Sequence, residues 1–188
     1  MTELEKLIEH LCPGGVVYEE IGTLSKPLSP TIKIKSKDYL ECGKYPIIDQ
    51  GQDFIGGYTD LENVFPKDEY IVFGDHTCVV KYVDFSFAQG ADGVKVIQPN
   101  TSRVTTKYLY YCMKKVKLDT KYARHWSKMK IQKVPVPPVE IQLEIVHILD
   151  IFTYQVSELQ KSLNEEICKL QKQYEYYRDK LLTFKEIK

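Results

Sequence analysis

The chain has 188 residues and a mass of 21.9 kDa, so it fits one ordinary domain or one small domain with an extension. A hydrophobic content of 43% with 14 tyrosines suffices for a packed core, which excludes a wholly disordered protein. No apolar run approaches the roughly 20 residues that cross a bilayer, and the N-terminus is charged, so we expect a cytoplasmic protein without a membrane partner.

The first hundred residues change from one short helix to a series of strands. Apolar residues at i, i+3, i+4 and i+7 predict an amphipathic helix over Thr2–Leu11, which we expect to pack on the rest of the domain. From Val16 to Ile97 short β-branched and aromatic runs alternate with glycine-containing turns, which indicates a β-rich domain. The predicted strands are Pro46–Ile48, Tyr70–Phe73, Cys78–Val83 and Val94–Ile97.

A proline-rich segment separates this domain from a long helical pattern. Thr105–Val116 is predicted to be a helix and Ile131–Val136 a last strand, after which Pro137 and Pro138 forbid a helix. From residue 141 to residue 184 apolar positions recur at a mean spacing near 3.6, which predicts a helix of about 44 residues. We therefore expect an α+β protein: a β-rich globular domain, 1–139, followed by a long C-terminal coiled-coil helix, 140–188.

A helix of this length, about 66 Å, exceeds what a body about 30 Å across could cover, so its apolar stripe needs another helix or another chain. The alternative is that the helix folds back on its own domain, but the helix has no glycine or proline at which it could bend. We expect the dimer or partner interface at the apolar positions Ile148, Phe152, Leu159, Leu163, Ile167, Leu170, Tyr174, Tyr177 and Leu181.

The formal net charge of zero conceals an uneven distribution. Residues 1–100 carry nine basic and sixteen acidic side chains, whereas residues 101–139 carry ten basic side chains and one acidic. Tyrosines, a histidine and a tryptophan interleave the basic residues, as on a surface that binds phosphates and reaches bases. A solvated lysine-rich face, or a surface for acidic proteins or membranes, explains the same composition.

Motifs of catalysis and of cofactor binding are absent from the sequence. It has no phosphate-binding GxxxxGK[ST], no GxSxG, and no Asn- or Asp-Pro-Pro-aromatic tetrapeptide of amino-group DNA methyltransferases. Five widely spaced cysteines indicate thiols rather than disulfides or a zinc site, so we expect no metal and no cofactor. One catalytic alternative remains, a nuclease that uses Asp75, Lys81 and Asp84.

Four stretches, in their order and spacing, resemble the specificity subunit of type I restriction–modification enzymes, or one half of it. They are YPIIDQGQDFIGGY (Tyr45–Tyr58), EYIVFGDHTCVVKYVDFSFAQGADGVKVI (Glu69–Ile97), TTKYLYYCMK (Thr105–Lys114) and ARHWSKMKIQKVPVPPVEIQLEIVHILD (Ala123–Asp150), followed by the long helix. The resemblance implies a target recognition domain that reads one half of a split DNA site. It also implies a spacer helix that pairs antiparallel with a second spacer, sets the distance between two recognition domains and docks methyltransferase subunits.

The resemblance also implies partners and a role without catalysis. The partners are double-stranded DNA, methyltransferase (M) subunits and, through them, restriction (R) subunits. The usual subunit carries two recognition domains and two spacers, and this chain has one of each. We therefore expect either a homodimer or pairing with a second half-specificity subunit. The alternative functions are a recognition module of another DNA-processing system and the nuclease described above.

The candidate DNA contacts divide by chemistry. Lysines position the protein on phosphates, whereas Arg suits guanine and Gln suits adenine in the major groove. The phosphate candidates are Lys114, Lys115, Lys117, Lys121, Lys128 and Lys130, together with Arg124. The side chains that we expect to reach base edges are Gln50, Gln52, Gln89, Arg124 and His125.

Overall fold

The computed structural model describes residues 2–29, 32–90, 93–118 and 124–184, and the chain divides into a globular unit, Met1–Val146, and a helical unit, His147–Lys188. The expected α+β class is confirmed. The described helices and strands are, in order, α1 Glu3–Leu11, β1 Val17–Glu20, α2 Ile21–Leu24, β2 Ser25–Leu28, β3 Tyr45–Ile48, β4 Gly57–Thr59, β5 Tyr70–Gly74, β6 Val80–Val83, β7 Ala88–Gln89, β8 Val94–Pro99, α3 Thr106–Lys115, α4 Trp126–Met129, β9 Lys133–Val136 and α5 Val139–Leu182.

Within the described residues the strands of the globular unit form three sheets. The largest is antiparallel with the order β2-β8-β5-β6, and β1 pairs with β9 in a separate two-stranded sheet. In the third sheet β3 lies between β4 and β7 and pairs with β7 in parallel. All five residues of β5 are buried, which explains why Tyr70–Phe73 is a continuous apolar run rather than an alternating one.

The core lies on both faces of the four-stranded sheet. On one face Ile71, Phe73 and Ile97 pack against Leu109 and Met113 of α3. The residues of the other face alternate with them along the strands and pack against β3 and the segment that leads into β7. This second cluster consists of Ile48, Tyr70, Val72, Val83, Phe87, Val94 and Val96. The sheet therefore stands between α3 and the three-stranded sheet, and its turns are held from both sides.

The predicted helix at the N-terminus is present as α1. None of its residues is fully buried, although Leu4 and Leu7 on its apolar face are half-buried. The helix is also capped locally: the Thr2 hydroxyl accepts from the Glu5 N–H at 3.2 Å, and the Glu5 carboxylate accepts from the Thr2 N–H at 2.7 Å. This reciprocal pair satisfies two of the donors that every helix N-terminus leaves unpaired.

Two other boundaries differ from the prediction for local reasons. β6 begins at Val80 rather than at Cys78, because Cys78 has φ 57° and lies in the turn. α3 spans Thr106–Lys115 rather than Thr105–Val116, because Thr105 and Val116 have extended backbones and cap the two ends of the helix. The strands β1, β2, β4 and β7 have two to four residues each, too few for a recognisable alternating pattern.

The first turn of α5 belongs to the globular unit and is tied to it by Gln142. The side-chain oxygen of this fully buried residue accepts from the Thr105 N–H at 2.8 Å. Its amide nitrogen donates to the carbonyl oxygens of Arg103 at 3.0 Å and of Pro137 at 2.9 Å. One side chain thus joins the loop before α3 to the proline segment before α5. Among the described residues, no helix combines the length and the hydropathy needed to span a bilayer.

We predict that Gln142→Leu lowers the free energy of unfolding of the globular unit by about 2–4 kcal/mol, because it leaves one buried N–H and two carbonyl oxygens without partners. Urea unfolding followed by tryptophan fluorescence measures the change, since Trp126 lies in this unit. The exposed Gln160 provides the control, and Gln160→Leu should stay within about 0.5 kcal/mol. Equal unfolding midpoints for the two variants would contradict the prediction.

Candidate nucleic-acid interface

Asp75, in the hairpin between β5 and β6, joins segments that are distant in sequence. Its N–H donates to the Gly93 carbonyl at 2.6 Å, and its own carbonyl accepts from the His125 N–H at 2.9 Å. Its carboxylate Oδ1 accepts from the Trp126 N–H at 2.7 Å. Asp75 is 6% exposed, so these bonds form in a largely dehydrated place where each contributes more than on a surface.

Gln50 brings a fourth segment to the same hairpin. The Thr77 hydroxyl donates to the Gln50 carbonyl at 2.7 Å, and the His76 N–H donates to Gln50 Oε1 at 3.3 Å. The approach is so close that a Cβ on Gly74 would lie 2.2 Å from Thr77 Oγ1 and 2.8 Å from Gln50 Cβ. A Cβ on Gly93 would likewise collide with the ring of His76. Gly93 also has φ +85°, a backbone conformation that favours glycine.

A cleft of about 580 Å³ opens where these segments meet. Three cationic side chains line it, those of Lys33, Lys95 and Arg124, together with Ser127 and the half-buried His76. Asp75 also lines the cleft, and its carboxylate accepts from a backbone N–H. Three positive charges against one negative charge make a concave surface that attracts a phosphate group.

The structure brings three of the predicted contact residues to this hairpin. Arg124 lines the cleft and is exposed, and Gln50 holds the hairpin while remaining half-buried. Lys128 lies near Cys78: burial raises the pKa of the Cys78 thiol, and Lys128 opposes that increase. The other exposed candidates are Gln52, Lys114, Lys115, Lys117 and Lys130. Lys121 lies outside the described residues.

Two exposed lysines of this set have other neighbours. The ammonium group of Lys114 lies 5.4 Å from the centre of the Tyr110 ring on α3. The backbone carbonyl of Lys130 accepts from the Gly22 N–H at 2.8 Å, which places this residue beside α2. The basic segment is therefore spread over the surface of the globular unit rather than concentrated at the cleft.

Gln89 and His125 occupy the interior. Gln89 is 2% exposed and donates from Nε2 to the Val94 carbonyl at 3.1 Å. His125 is fully buried, and neither ring nitrogen has a hydrogen-bond partner among the described residues. A base contact by either side chain would require it to leave the core, so we omit both from the proposed DNA contacts.

Sequence reasoning missed Lys33 and Lys95, which lie outside the basic segment 101–139. Lys95 had a usable signal, since it stands between Val94 and Val96 in a strand and therefore points to the face opposite these two buried valines. No local pattern distinguishes Lys33 from the neighbouring exposed Lys35 and Lys37.

The residues of the nuclease alternative are not brought together. Asp75 lies in the turn before β6 and Asp84 directly after β6, so the strand separates them by roughly 13 Å at 3.3 Å per residue. Lys81 is buried and donates to the Asp53 carbonyl at 2.5 Å, with Asp49 Oδ1 at 3.6 Å. Burial lowers the pKa of Lys81, and Asp49 opposes that decrease. The described residues contain no cluster of three or more His, Cys, Asp or Glu side chains that could hold a metal ion.

A β-rich domain with a cationic cleft, followed by a long helix, is the class of architecture that the structure defines. The model of the type I restriction modification DNA specificity domain matches residues 19–169. The chain belongs to this family, which confirms the family that the four sequence stretches indicated.

The curated relatives are longer than this chain. The chain is 34% identical over 202 residues to the type I restriction enzyme EcoR124I/EcoR124II specificity subunit of Escherichia coli, and the match covers 99% of this chain and 48% of that protein. The chain spans about half the length of the curated relatives it matches.

Solved structures share the fold. The S subunit of a type I restriction–modification system from M. genitalium superposes with a TM-score of 0.61 at 20% identity, covering 99% of this chain and 49% of that one. The HsdS subunit from Thermoanaerobacter tengcongensis gives a TM-score of 0.52 at 15% identity, over 85% of this chain and 44% of that chain.

We predict that His125→Phe leaves the stability of the globular unit unchanged or raises it by about 1 kcal/mol, because the substitution removes two buried nitrogens that have no partners within the described part of the chain. Thermal unfolding measures the effect, with the exposed His147→Phe as control. A normal unfolding temperature combined with a loss of affinity for one particular base would return His125 to the set of base-reading residues.

Proposed function

We propose that this chain is a DNA-reading specificity subunit that recognises one half of a bipartite site in double-stranded DNA. The observation that carries the proposal is the cleft lined by Lys33, Lys95 and Arg124 in a chain of the type I specificity family. Its recognition domain comprises residues 1–139, and its spacer helix comprises residues 140–188. Phosphate contacts supply most of the affinity of such a reader, whereas a few contacts to base edges supply its specificity.

The two kinds of contact fall on different residues. Lys33 and Lys95 bind phosphate in the cleft. The hairpin and the closely packed Gly74 and Gly93 fix the protein backbone around the cleft, so the duplex backbone binds in one position. The remaining phosphate contacts come from the exposed lysines Lys114, Lys115, Lys117 and Lys128, with Lys130 and the undescribed Lys121 as further candidates. Arg124, Gln50 and Gln52 read base edges, because their planar groups suit bidentate bonds to guanine and adenine.

The subunit performs no catalytic step of its own. Methyltransferase subunits that dock on it supply methyl transfer, and restriction subunits that bind through them supply cleavage. Two observations support this division: the three residues of the nuclease alternative are separated, and the carboxylate of Asp75 accepts from the backbone of Trp126.

The functional unit is a homodimer formed through α5. Every described residue from 151 to 184 is exposed, and on the apolar stripe Leu159 is 70% and Leu170 57% exposed. An uncovered stripe of this length favours association, since covering it removes apolar surface from water. A closed two-fold pair makes the two recognition domains equivalent, so the DNA site is an interrupted palindrome. Pairing with a second half-specificity subunit would give an asymmetric site instead.

We predict that Lys95→Ala weakens binding to every duplex and reduces the slope of log K against log salt concentration by about 1, because one phosphate contact is lost. Arg124→Ala should instead lose about 1–3 kcal/mol at one base position. Fluorescence anisotropy over a salt series measures both effects. Lys67, exposed beside Asp68 and Glu69, provides the control, and an identical slope for Lys95→Ala and Lys67→Ala would remove the cleft from the interface.

Co-expression of the chain with methyltransferase subunits of the same family, followed by single-molecule mapping of methylated adenines in the host genome, tests the function itself. We expect a new split palindromic motif. An asymmetric split motif would replace the homodimer by a pair of different halves. A correctly folded complex that gives no new methylation would contradict the proposed function and favour a recognition module of another DNA-processing system.

A further inference from the structure

Lys81 of β6 holds the loop between β3 and β4, residues 49–56. Its ammonium group donates to the Asp53 carbonyl at 2.5 Å and lies 3.6 Å from Asp49 Oδ1. Lys81 and Val83 are buried and alternate with half-buried residues along β6, so both point to the core. An apolar side chain at position 81 would avoid the cost of burying a charge. The lysine therefore indicates that the position of this loop matters.

Both ends of the loop are fixed as well. The Asp49 carboxylate accepts from the Gly51 N–H at 2.8 Å and from the Tyr39 hydroxyl at 3.3 Å. A Cβ on Gly56 would lie 2.6 Å from Asp49 Oδ2, so the returning chain passes directly against this carboxylate. Ile55 packs on the second core cluster, between the four-stranded and the three-stranded sheets. The backbone of the loop is therefore held at several points.

Three side chains on this fixed loop are exposed, those of Gln52, Asp53 and Phe54. Of the five phenylalanines in the globular unit, four are buried or half-buried, whereas Phe54 is 46% exposed. Its ring makes a T-shaped contact with the ring of Phe85, with 6.1 Å between the centroids. Single exposed apolar residues are common on protein surfaces. Phe54 differs from them because its backbone is anchored by a buried charge and one side of its ring is supported.

The loop begins at the edge of the cationic cleft. Gln50 Oε1 accepts from the N–H of His76, and both His76 and Gly93 line the cleft. Four residues separate Gln50 from Phe54, so their Cα atoms lie within roughly 14 Å of each other. This distance corresponds to about four base pairs of a duplex at 3.4 Å each. A duplex that is held by the cleft therefore extends as far as Phe54.

Resting on the proposed function, we infer that the loop between β3 and β4 reads a thymine, with Phe54 packed on the C5-methyl group and Lys81 as the positioning residue. In the major groove an A·T pair presents this methyl group together with N6 and N7 of adenine. The amide of Gln52, two residues before Phe54, suits that adenine edge. The loop thus carries matching groups for one A·T pair or for two neighbouring pairs.

Charge separates the role of this loop from that of the cleft. Asp49 and Asp53 supply two carboxylates, and the ammonium group of Lys81 is the one cation that binds the loop among the described residues. The loop therefore has no attraction for phosphate and contacts DNA only where the cations of the cleft hold the duplex. Changes in the loop should alter base preference and leave the salt dependence of binding unchanged, which is the opposite of Lys95→Ala.

Replacement of thymine by uracil removes only the methyl group, so it tests the contact directly. The methylation map supplies the half-site, and uracil then replaces each of its thymines in turn in duplexes that the full chain binds, measured by anisotropy. We expect one position at which uracil weakens binding about threefold to fivefold, as for the loss of one buried methyl group. Phe54→Ala should bind the two duplexes equally at that position. Leu61→Ala, at an exposed residue outside the loop, should keep the difference.

The positioning role of Lys81 is tested on the same pair of duplexes. Lys81→Met keeps a side chain of similar length but removes the ammonium group, so it should lose the difference between thymine and uracil without changing the salt slope. Lys81→Arg retains the charge and should keep part of the difference. Circular dichroism and thermal unfolding identify the variants that fold. An unchanged thymine-to-uracil ratio in a folded Lys81→Met would show that Lys81 does not position the loop.

The outcomes separate this inference from the proposed function. If uracil has no effect at any thymine, or the same effect in Phe54→Ala as in the original chain, Phe54 does not read a thymine. The chain then still binds its bipartite site, and the proposed function stands. A half-site that contains no A·T pair would also overturn the inference alone. A chain that prefers no DNA sequence would overturn the inference and the proposed function together.

Discussion

The cationic cleft depends on the buried Asp75, because this residue uses its N–H, its carbonyl and its carboxylate to bind three other points of the chain. The hairpin that carries it also holds Gln50 through Thr77 and His76. Loops need such fixed points, since a loop that moves freely loses conformational entropy each time it contacts a ligand. With Asp75 in place, the cations of the cleft are presented by a rigid frame rather than by independent loops.

That frame is possible because the hairpin emerges from β5, all five residues of which are buried. β5 is covered by α3 on one face and by the three-stranded sheet on the other, so the position of Gly74 at its end is set by two core clusters. Gly74 and Gly93 then allow backbones to approach within distances that any side chain would prevent. Core packing thus determines where the loops lie, and the position of the loops determines where the cationic side chains come together.

The sequence predicted the parts of this fold that have a long or uniform pattern. The 3.6-residue repeat predicts α5, and the run Tyr70–Phe73 predicts the central strand. It could not predict the cleft, because its three cations meet only through tertiary contacts. Ile34, next to Lys33, bridges to Gly90, Lys95 lies in β8, and Asp75 binds the residues that follow Arg124. Polarity alone also placed His125 on the surface, whereas its backbone N–H bonds to Asp75 and its ring enters the core.

In the proposed homodimer, the long helix α5 connects the recognition of one half-site with the recognition of the other. No glycine or proline occurs after Pro138, so α5 has no residue that would bend it, and a pair of such helices holds its two ends at a fixed separation. In the proposed homodimer, this separation would make the gap between the two half-sites part of what is recognised. Lengthening α5 by one heptad on each chain should therefore lengthen the gap and leave the half-site sequence unchanged, since the proposed DNA contacts all lie before Pro137.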